Sequence, residues 1–171
     1  MFRLPAGFYS FLLISTFVFS LLIKPGPAYA AWTDGQDADV VLGQANFTSG
    51  TANPGGIAAN TMNGVQSVCV DPSSNKVFVA DTSNHRVLRF SATDALVNGS
   101  AAEVVLGQAN FTSGTANRGT GVAADTMNNP VDCVVDSGGR LWVVDLSNHR
   151  VLRFDNASTK SDGDNADGVL G

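Results

Sequence analysis

The sequence predicts an all-β fold made of two repeated units, and three observations lead to this prediction. The segment VVLGQANFTSGTAN at residues 40–53 recurs unchanged at residues 104–117, 64 residues later. The segment SNHRVLRF at residues 83–90 recurs at residues 147–154 with the same offset. Short runs of β-branched and aromatic residues alternate with clusters of Gly, Pro, Asn and Ser, which is typical of strands and turns. Such a fixed period marks a repeat architecture, in which each unit buries its apolar face against the next unit.

Alignment of the two units predicts four strands in each. They lie at residues 67–70, 77–80, 86–90 and 103–106 of the first unit and at residues 132–135, 141–144, 150–154 and 167–170 of the second. The second strand of the first unit is apolar at every position, so we expect it to be covered on both faces. Residues 40–42 repeat the sequence of the fourth strand and predict an extra edge strand.

Short antiparallel strands in sheets that are covered on both faces suit the blades of a β-propeller. The predicted fold is therefore a partial β-propeller with about two four-stranded antiparallel blades plus an extra edge strand. A β-solenoid is the alternative, although its coils usually have periods shorter than 64 residues. Two blades do not close a ring. We therefore expect a fragment of a longer repeat protein or a chain that associates with itself, and we expect residues 31–171 alone to aggregate or to form oligomers.

The first thirty residues are typical of an export signal. Arg3 precedes an apolar run at residues 8–23, and Ala-Tyr-Ala at residues 28–30 forms a cleavage site of the small-x-small type. The apolar run is shorter than a membrane-spanning helix requires, and an uncleaved anchor is the alternative. The predicted domains are a signal peptide (1–30), a linker (31–39) and the repeat region (40–171), whose units are 40–103 and 104–167 and whose third unit is truncated.

Charge limits the partners that we expect. Fifteen acidic residues against ten basic ones give a net charge of −5, and signal cleavage would also remove Arg3 and Lys24. Nucleic-acid binding and attraction to anionic lipids both depend on Lys and Arg, so neither is expected. The chain is expected to be secreted, periplasmic or at the cell surface, with no stable membrane insertion after cleavage.

Three segments of the second unit resemble a known repeat. Residues 128–136, 139–145 and 148–154 carry Asn-Asn-Pro, Leu-Trp-Val and Asn-His-Arg-Val-Leu-Arg-Phe, and together they are similar to the NHL repeat. That family is named for an Asn-His-Leu turn, whose third position is Arg86 or Arg150 here. The resemblance implies a propeller of six blades or a near relative. Each unit is about twenty residues longer than an ordinary NHL repeat, which suggests a long-insertion form of bacterial type.

The recurring turn motif has a structural interpretation. Its members are Asp81, Asn84, His85 and Arg86, repeated as Asp145, Asn148, His149 and Arg150. Asp accepts backbone hydrogen bonds in a tight turn, Asn tolerates the left-handed conformation, and Arg is expected to bridge to a carboxylate in the next blade. Zinc needs three or four converging ligands, so two histidines a blade apart predict no metal site. No cofactor and no catalytic group is expected.

The two insertions, at residues 44–64 and 108–129, predict a binding face. Connections alternate between the ends of a four-stranded meander, so both insertions emerge beside the Asn-His turns, and per-repeat insertions on one face commonly bind ligands. The candidate residues are Asn46, Phe47, Asn110, Phe111 and Arg118. A cap that folds back over each blade is an equally favoured and compatible interpretation.

The predicted function is an exported binding module for a protein, peptide or glycan. An enzyme is the alternative, in which a propeller lyase or lactonase-like hydrolase has its active-site blades elsewhere. A structural spacer is a third interpretation. Cys69 and Cys133 are predicted to be buried free thiols, because adjacent blades rarely approach closely enough for a bridge; a disulfide is the alternative.

Overall fold

The computed structural model describes residues 33–171. All strands of the described residues lie within Asp37–Gly171. The predicted signal peptide and its cleavage site lie outside the described residues. Within the described part, no helix has the length and apolar character needed to cross a bilayer.

The strands form two four-stranded antiparallel sheets. The first sheet contains β1 (Val65–Val70), β2 (Lys76–Asp81), β3 (Arg86–Ala92) and β4 (Val104–Leu106). The second contains β5 (Pro130–Val135), β6 (Leu141–Asp145), β7 (Arg150–Phe154) and β8 (Gly168–Leu170). Each sheet follows chain order. The predicted all-β fold with two blades of a partial β-propeller is confirmed.

Both second-to-third connections are short 3-10 turns that end in a left-handed histidine. In the first sheet the turn is Thr82–Asn84, and His85 follows with φ 52°. In the second it is Leu146–Asn148, and His149 follows with φ 54°. Both histidines therefore adopt a left-handed conformation, which residues other than glycine seldom adopt.

The main apolar core lies between the two sheets. Phe78, Val87, Val104 and Leu106 of the first sheet pack with Cys133, Val135, Leu141, Val143, Leu152 and Phe154 of the second. A second cluster covers the far face of the first sheet, where Leu88, Phe90 and Val105 pack beneath Met62 and Ala102. The middle strands of the first sheet are therefore covered on both faces, as their unbroken apolar sequence requires.

The extra edge strand predicted for residues 40–42 is wrong, because these residues form no strand. The identical residues 104–106 form β4 by pairing with β3, with Val105 opposite Leu88. In the part of the chain that the structure describes, no strand equivalent to β3 precedes residue 40. The same sequence therefore becomes a strand only where it has a neighbour to pair with.

The prediction of two free thiols is also wrong. Cys69 of β1 and Cys133 of β5 form a disulfide, with their Cα atoms 5.9 Å apart. The prediction assumed that adjacent blades are too far apart for a bridge, but β1 and β5 lie side by side. Their separation is within the roughly 7 Å limit for a disulfide, so the bridge joins the two repeat units directly.

Candidate binding face

The turn motif of the first unit surrounds a buried carboxylate. Asp81 Oδ2 accepts hydrogen bonds from Arg86 Nε at 2.7 Å and from Asn84 Nδ2 at 2.8 Å. Its other oxygen, Oδ1, accepts from the backbone N–H of Asn63 at 2.7 Å. Asp81 and Arg86 both have 0% of their side-chain surface exposed, so the charge is neutralised without water. The first insertion is thereby attached, near its C-terminal end, to the turn.

The other end of Arg86 extends into both insertions. Its Nη2 donates to the carbonyls of Ala58 at 3.0 Å and Thr61 at 2.9 Å, in the first insertion. Its Nη1 donates to the carbonyl of Phe111, in the second insertion. Charge-assisted bonds of this kind are roughly twice as strong as neutral ones. One guanidinium therefore joins a blade to the insertions on either side of it.

The second unit repeats this network. Asp145 Oδ2 accepts from Arg150 Nε and from Asn148 Nδ2, both at 2.8 Å. The backbone N–H of Asn128 donates to Asp145 Oδ1 at 2.7 Å. Arg150 Nη2 donates to the carbonyls of Ala123 and Thr126, each at 2.8 Å. Residues of the predicted turn motif thus hold each insertion in the same way.

Paired asparagine amides fix the middle of each insertion to the same turn. Asn53 and Asn84 exchange two hydrogen bonds, each of 2.9 Å. Asn117 and Asn148 do the same, at 3.1 and 2.8 Å. Our sequence interpretation missed Asn53 and Asn117, although both lie at the end of the repeated segment. Their recurrence at a fixed distance from the turn motif was the available signal.

The two insertions touch each other. A Cβ atom added to Gly114 would lie 2.6 Å from Ile57 Cδ1, so the second insertion passes directly over the first. Met62 and Met127 are buried residues of the two insertions, whereas Phe47 and Val122 are exposed ones. Each insertion therefore has a buried underside and an exposed outer surface, which agrees with both interpretations of these segments.

His85 connects the first turn to the second unit. Its Nδ1 accepts a hydrogen bond from the backbone N–H of Asn129 at 3.1 Å, and its carbonyl accepts from Gln108 Nε2 at 3.1 Å. Burial lowers the pKa of His85, and the carboxylates of Asp145 and Asp81 oppose this shift. An acceptor at Nδ1 requires the neutral ring, so the hydrogen bond and the pKa shift agree.

Asn46 and Asn110 organise identical loops at the outer surface. Asn46 Oδ1 accepts from the backbone N–H groups of Thr48 and Ser49, both at 3.0 Å. Asn110 Oδ1 accepts from Thr112 N–H at 3.0 Å and from Ser113 Oγ at 2.9 Å. These bonds form an Asx turn around the intervening phenylalanine.

The two phenylalanines of these loops have different surroundings. Phe47 has 53% of its surface exposed. Phe111 packs against the apolar cluster on the far face of the first sheet. The last predicted face residue, Arg118, pairs with Asp125 and donates to the Gly163 carbonyl at 3.2 Å. The exposed aromatic group of the candidate face is therefore Phe47.

The described residues offer no metal site of ordinary composition. Across residues 33–171, no group of three or more His, Cys, Asp and Glu side chains could hold an ion. Asp81 and Asp145, the buried carboxylates of the turns, are each paired with an arginine. What the arrangement provides is a rigid surface with an exposed aromatic ring and side-chain amides.

A family model described as the NHL repeat matches residues 62–90 and 127–154. The first match contains the turn between β2 and β3, and the second contains the turn between β6 and β7. Most of each insertion lies outside the matched segments. No curated protein matches the chain.

Proposed function

Since the chain carries two NHL repeats and so belongs to the NHL-repeat family, we propose that it is an exported binding module. Its two blades are the scaffold, and the insertion-bearing face contacts a protein, peptide or glycan. NHL repeats form a propeller-like interaction module, and the insertions give this chain its particular surface. We propose no catalytic activity for it.

The observation that carries this proposal is the attachment of the insertions. They lie mostly outside the matched repeat segments, yet Arg86 and Arg150 bind their backbones through buried ion pairs. Segments that only connected two blades would need no such fixation. Binding residues are commonly found on loops that a rigid scaffold positions, because preorganised loops lose little entropy on binding.

The exposed groups of the face suit a ligand with both apolar and polar parts. Phe47 provides an aromatic ring of the kind that anchors protein interfaces. Val122, on the second insertion, is exposed as well. The sequences of both insertions also contain several residues with side-chain amides and hydroxyls. Peptide backbones and sugar hydroxyl groups are the complementary partners for such a surface.

Two features support export. The N-terminal segment has the basic start, the apolar run and the small-residue site of a signal peptide. The Cys69–Cys133 disulfide is typical of an oxidising compartment, since cytosolic reductants keep most thiols reduced. We therefore propose a secreted, periplasmic or cell-surface location.

A ligand panel tests the binding function. The full-length chain, immobilised at low density so that copies do not meet, is exposed to a glycan array and to a displayed peptide library. Phe47→Ala and Val122→Asp alter the insertion-bearing face. Val97→Ala is the matched control, because Val97 is equally exposed but lies in the loop between β3 and β4.

The expected result is at least one ligand that wild type and Val97→Ala bind and that both face variants bind about tenfold or more weakly. A ligand that all four proteins bind equally would place recognition elsewhere. If the wild-type chain binds no member of the panel, the proposal is contradicted for glycans and for peptides.

A further inference from the structure

The two insertions, residues 44–64 and 108–129, present an exposed surface that carries no charge. The first insertion contains no Asp, Glu, Lys or Arg, although these residues make up 15% of the chain. The second contains only Arg118 and Asp125, which are partly buried and form an ion pair with each other. A surface of this kind recognises its ligand through hydrogen bonds and apolar contacts and not through ion pairs.

The turns that hold the insertions add no free charge to this face. Asp81 is paired with Arg86 and Asp145 with Arg150, and both carboxylate side chains are fully buried. The excess of acidic residues lies elsewhere: residues 155–167, which connect β7 to β8, contain four aspartates and one lysine. The neutrality of the insertion-bearing face is therefore local, in a chain whose net charge is −5.

The same exposed loop occurs in both insertions. Residues 45–50 and residues 109–114 share the sequence ANFTSG. Asn46 and Asn110 are both exposed, and so are the threonines two residues later. The second loop is bonded to the turn motif of the first blade, and it exposes the same polar side chains as the first loop does. Their exposure is therefore a property of the repeat and not of one place in the chain.

Each of these loops leaves one amide donor free for a ligand. Asn46 Oδ1 accepts hydrogen bonds from the N–H and hydroxyl groups of Thr48 and Ser49, inside its own loop. Asn110 Oδ1 is occupied by its own loop in the same way. The Nδ2 atoms of both asparagines make no hydrogen bond within residues 33–171. Because each amide oxygen is fixed, the direction of the NH2 group is fixed as well.

A threonine hydroxyl accompanies each free amide. Gln44 Nε2 donates to the Thr51 carbonyl, and Gln108 Nε2 donates to the Thr115 carbonyl, each at 2.9 Å. Both threonines are exposed, and their hydroxyl groups make no hydrogen bond in the part of the chain that the structure describes. Each copy therefore presents the same two groups on a fixed backbone: an amide that donates and a hydroxyl that can donate and accept.

These shared groups favour a sugar over a peptide. Protein interfaces are usually anchored by aromatic side chains and arginines in desolvated pockets. Phe111 of the second copy packs against the apolar cluster of the first sheet, and no large apolar side chain between residues 109 and 121 is exposed. What the two copies share at the surface is hydrogen-bonding capacity without charge. The hydroxyl groups of uncharged sugars donate and accept hydrogen bonds in the same way.

We propose that the ligand of the insertion-bearing face is a neutral polysaccharide, and that the loops 45–50 and 109–114 bind two of its sugar units through the same side chains. This inference rests on the proposed binding function and adds the chemical class of its ligand. The insertions touch where Gly114 passes over Ile57, so the two loops belong to one continuous surface. When one sugar chain reaches both loops, the second contact is intramolecular, and affinity rises with the length of the chain.

Calorimetric titration of the full-length chain tests the class of ligand. The neutral probes are dextran, mannan and a β-glucan, and the charged counterparts are polygalacturonate and chitosan. At least one neutral polysaccharide is expected to bind, with a Kd that changes less than about twofold between about 0.01 M and 1 M salt, although the screening length falls from about 30 Å to about 3 Å. The free monosaccharide of the same sugar is expected to bind about a hundredfold more weakly, because it cannot reach both loops.

Two isosteric variants test the loops themselves. Asn46→Asp and Asn110→Asp keep an oxygen for the bonds inside each loop and replace the free amide donor with a carboxylate oxygen. Each is expected to weaken binding of the polysaccharide about tenfold or more, and the double variant is expected to weaken it further than either single variant. Asn156→Asp is the matched control, because Asn156 is exposed but lies in the connection between β7 and β8. It is expected to leave binding unchanged.

The salt series uses only the wild-type chain, so it decides the question even if a variant fails to fold. The inference is overturned if only a charged polysaccharide binds, with an affinity that falls as salt is added, or if only peptides bind. In both cases the proposed function still stands when Phe47→Ala and Val122→Asp weaken that binding. Equal affinity of Asn110→Asp and wild type for a neutral polysaccharide would also overturn the inference. A wild-type chain that binds no polysaccharide and no peptide would contradict the inference and the proposed function together.

Discussion

The carboxylate of Asp81 and the guanidinium of Arg86 form an ion pair from which solvent is excluded, with Oδ2 2.7 Å from Nε. Removing two charges from water is costly, and only good geometry with further hydrogen bonds offsets that cost. Asn84, Asn63 and three backbone carbonyls supply those bonds. The pair therefore depends on the insertions as much as the insertions depend on the pair.

Loss of the Asp81 charge is expected to destabilise the chain strongly. Asp81→Asn leaves the Arg86 cation buried without a counter-charge, which costs about 3–5 kcal/mol of unfolding free energy. Asp145→Asn is the matched variant, and its cost is expected to be smaller because 12% of the Arg150 side chain is exposed to water. Urea denaturation of the three proteins measures both costs. An equal or larger loss for Asp145→Asn would contradict this explanation.

The disulfide is expected to stabilise the contact between the two units. Cys69 and Cys133 are 64 residues apart, and a bridge that closes a loop of this length contributes about 2–4 kcal/mol. The double variant Cys69→Ser/Cys133→Ser is expected to lose that amount in urea denaturation, and reduced wild type is expected to match it. Alkylation of unfolded, unreduced protein tests the bridge itself. Two labelled cysteines would show that it is absent.

The turn between β5 and β6 is expected to weaken in strong acid. A hydrogen bond from the Trp142 indole is the main cause that lowers the pKa of Asp136 to about 2; burial opposes it, and bonds from Arg140 and Gly138 lower the pKa further. Because the folded-state pKa is below the usual 3.8, the stabilisation is present above that value and is lost as the pH falls towards 2. NMR titration of the Trp142 Nε1–H resonance follows this change.

The indole resonance is expected to shift with a midpoint near the lowered Asp136 pKa of about 2. In Asp136→Asn that step is expected to disappear, while the indole signal remains. A midpoint at the ordinary aspartate value would mean that the Trp142 hydrogen bond does not form in solution.

His85 is expected to make the fold sensitive to mild acid. Its pKa is lowered from 6.5 by burial, so the unfolded chain binds a proton at a higher pH than the folded chain does. Stability is therefore expected to fall as the pH decreases from about 6.5 into the range of the lowered pKa. His85→Gln removes this dependence, and His149→Gln, at an exposed position, is the control. The free energy of unfolding is measured from pH 5 to 8. The same pH dependence for wild type and His85→Gln would contradict the prediction.

The strand pattern could be predicted because both units carry it locally. Runs such as residues 86–90 are apolar, β-branched and bounded by turn residues, so their structure follows from their own sequence and from a neighbour that is close in the chain. The structural role of the turn motif could be predicted for the same reason, but the partner of its arginine was predicted wrongly: Arg86 pairs with Asp81 of its own blade and not with a carboxylate of the next blade.

Features that depend on distant neighbours could not be predicted. Residues 40–42 and 104–106 have the same sequence, and only the presence of β3 makes the second a strand. The disulfide depends on how closely β1 and β5 approach, which no local pattern encodes. The contact from Arg86 to Phe111 likewise spans two units, so the repeat revealed the residues but not their partners.

Hydrogen exchange at the backbone amides of Asn63 and Asn128 tests most directly whether the insertions are fixed parts of the blades. Each N–H donates to a buried aspartate, Asp81 or Asp145, at 2.7 Å. We predict that both amides are protected as strongly as those in the middle of β2 and that Asp81→Asn removes protection at Asn63 more than at Asn128. Exchange of both amides in wild type at the rate of an unstructured loop would contradict this account.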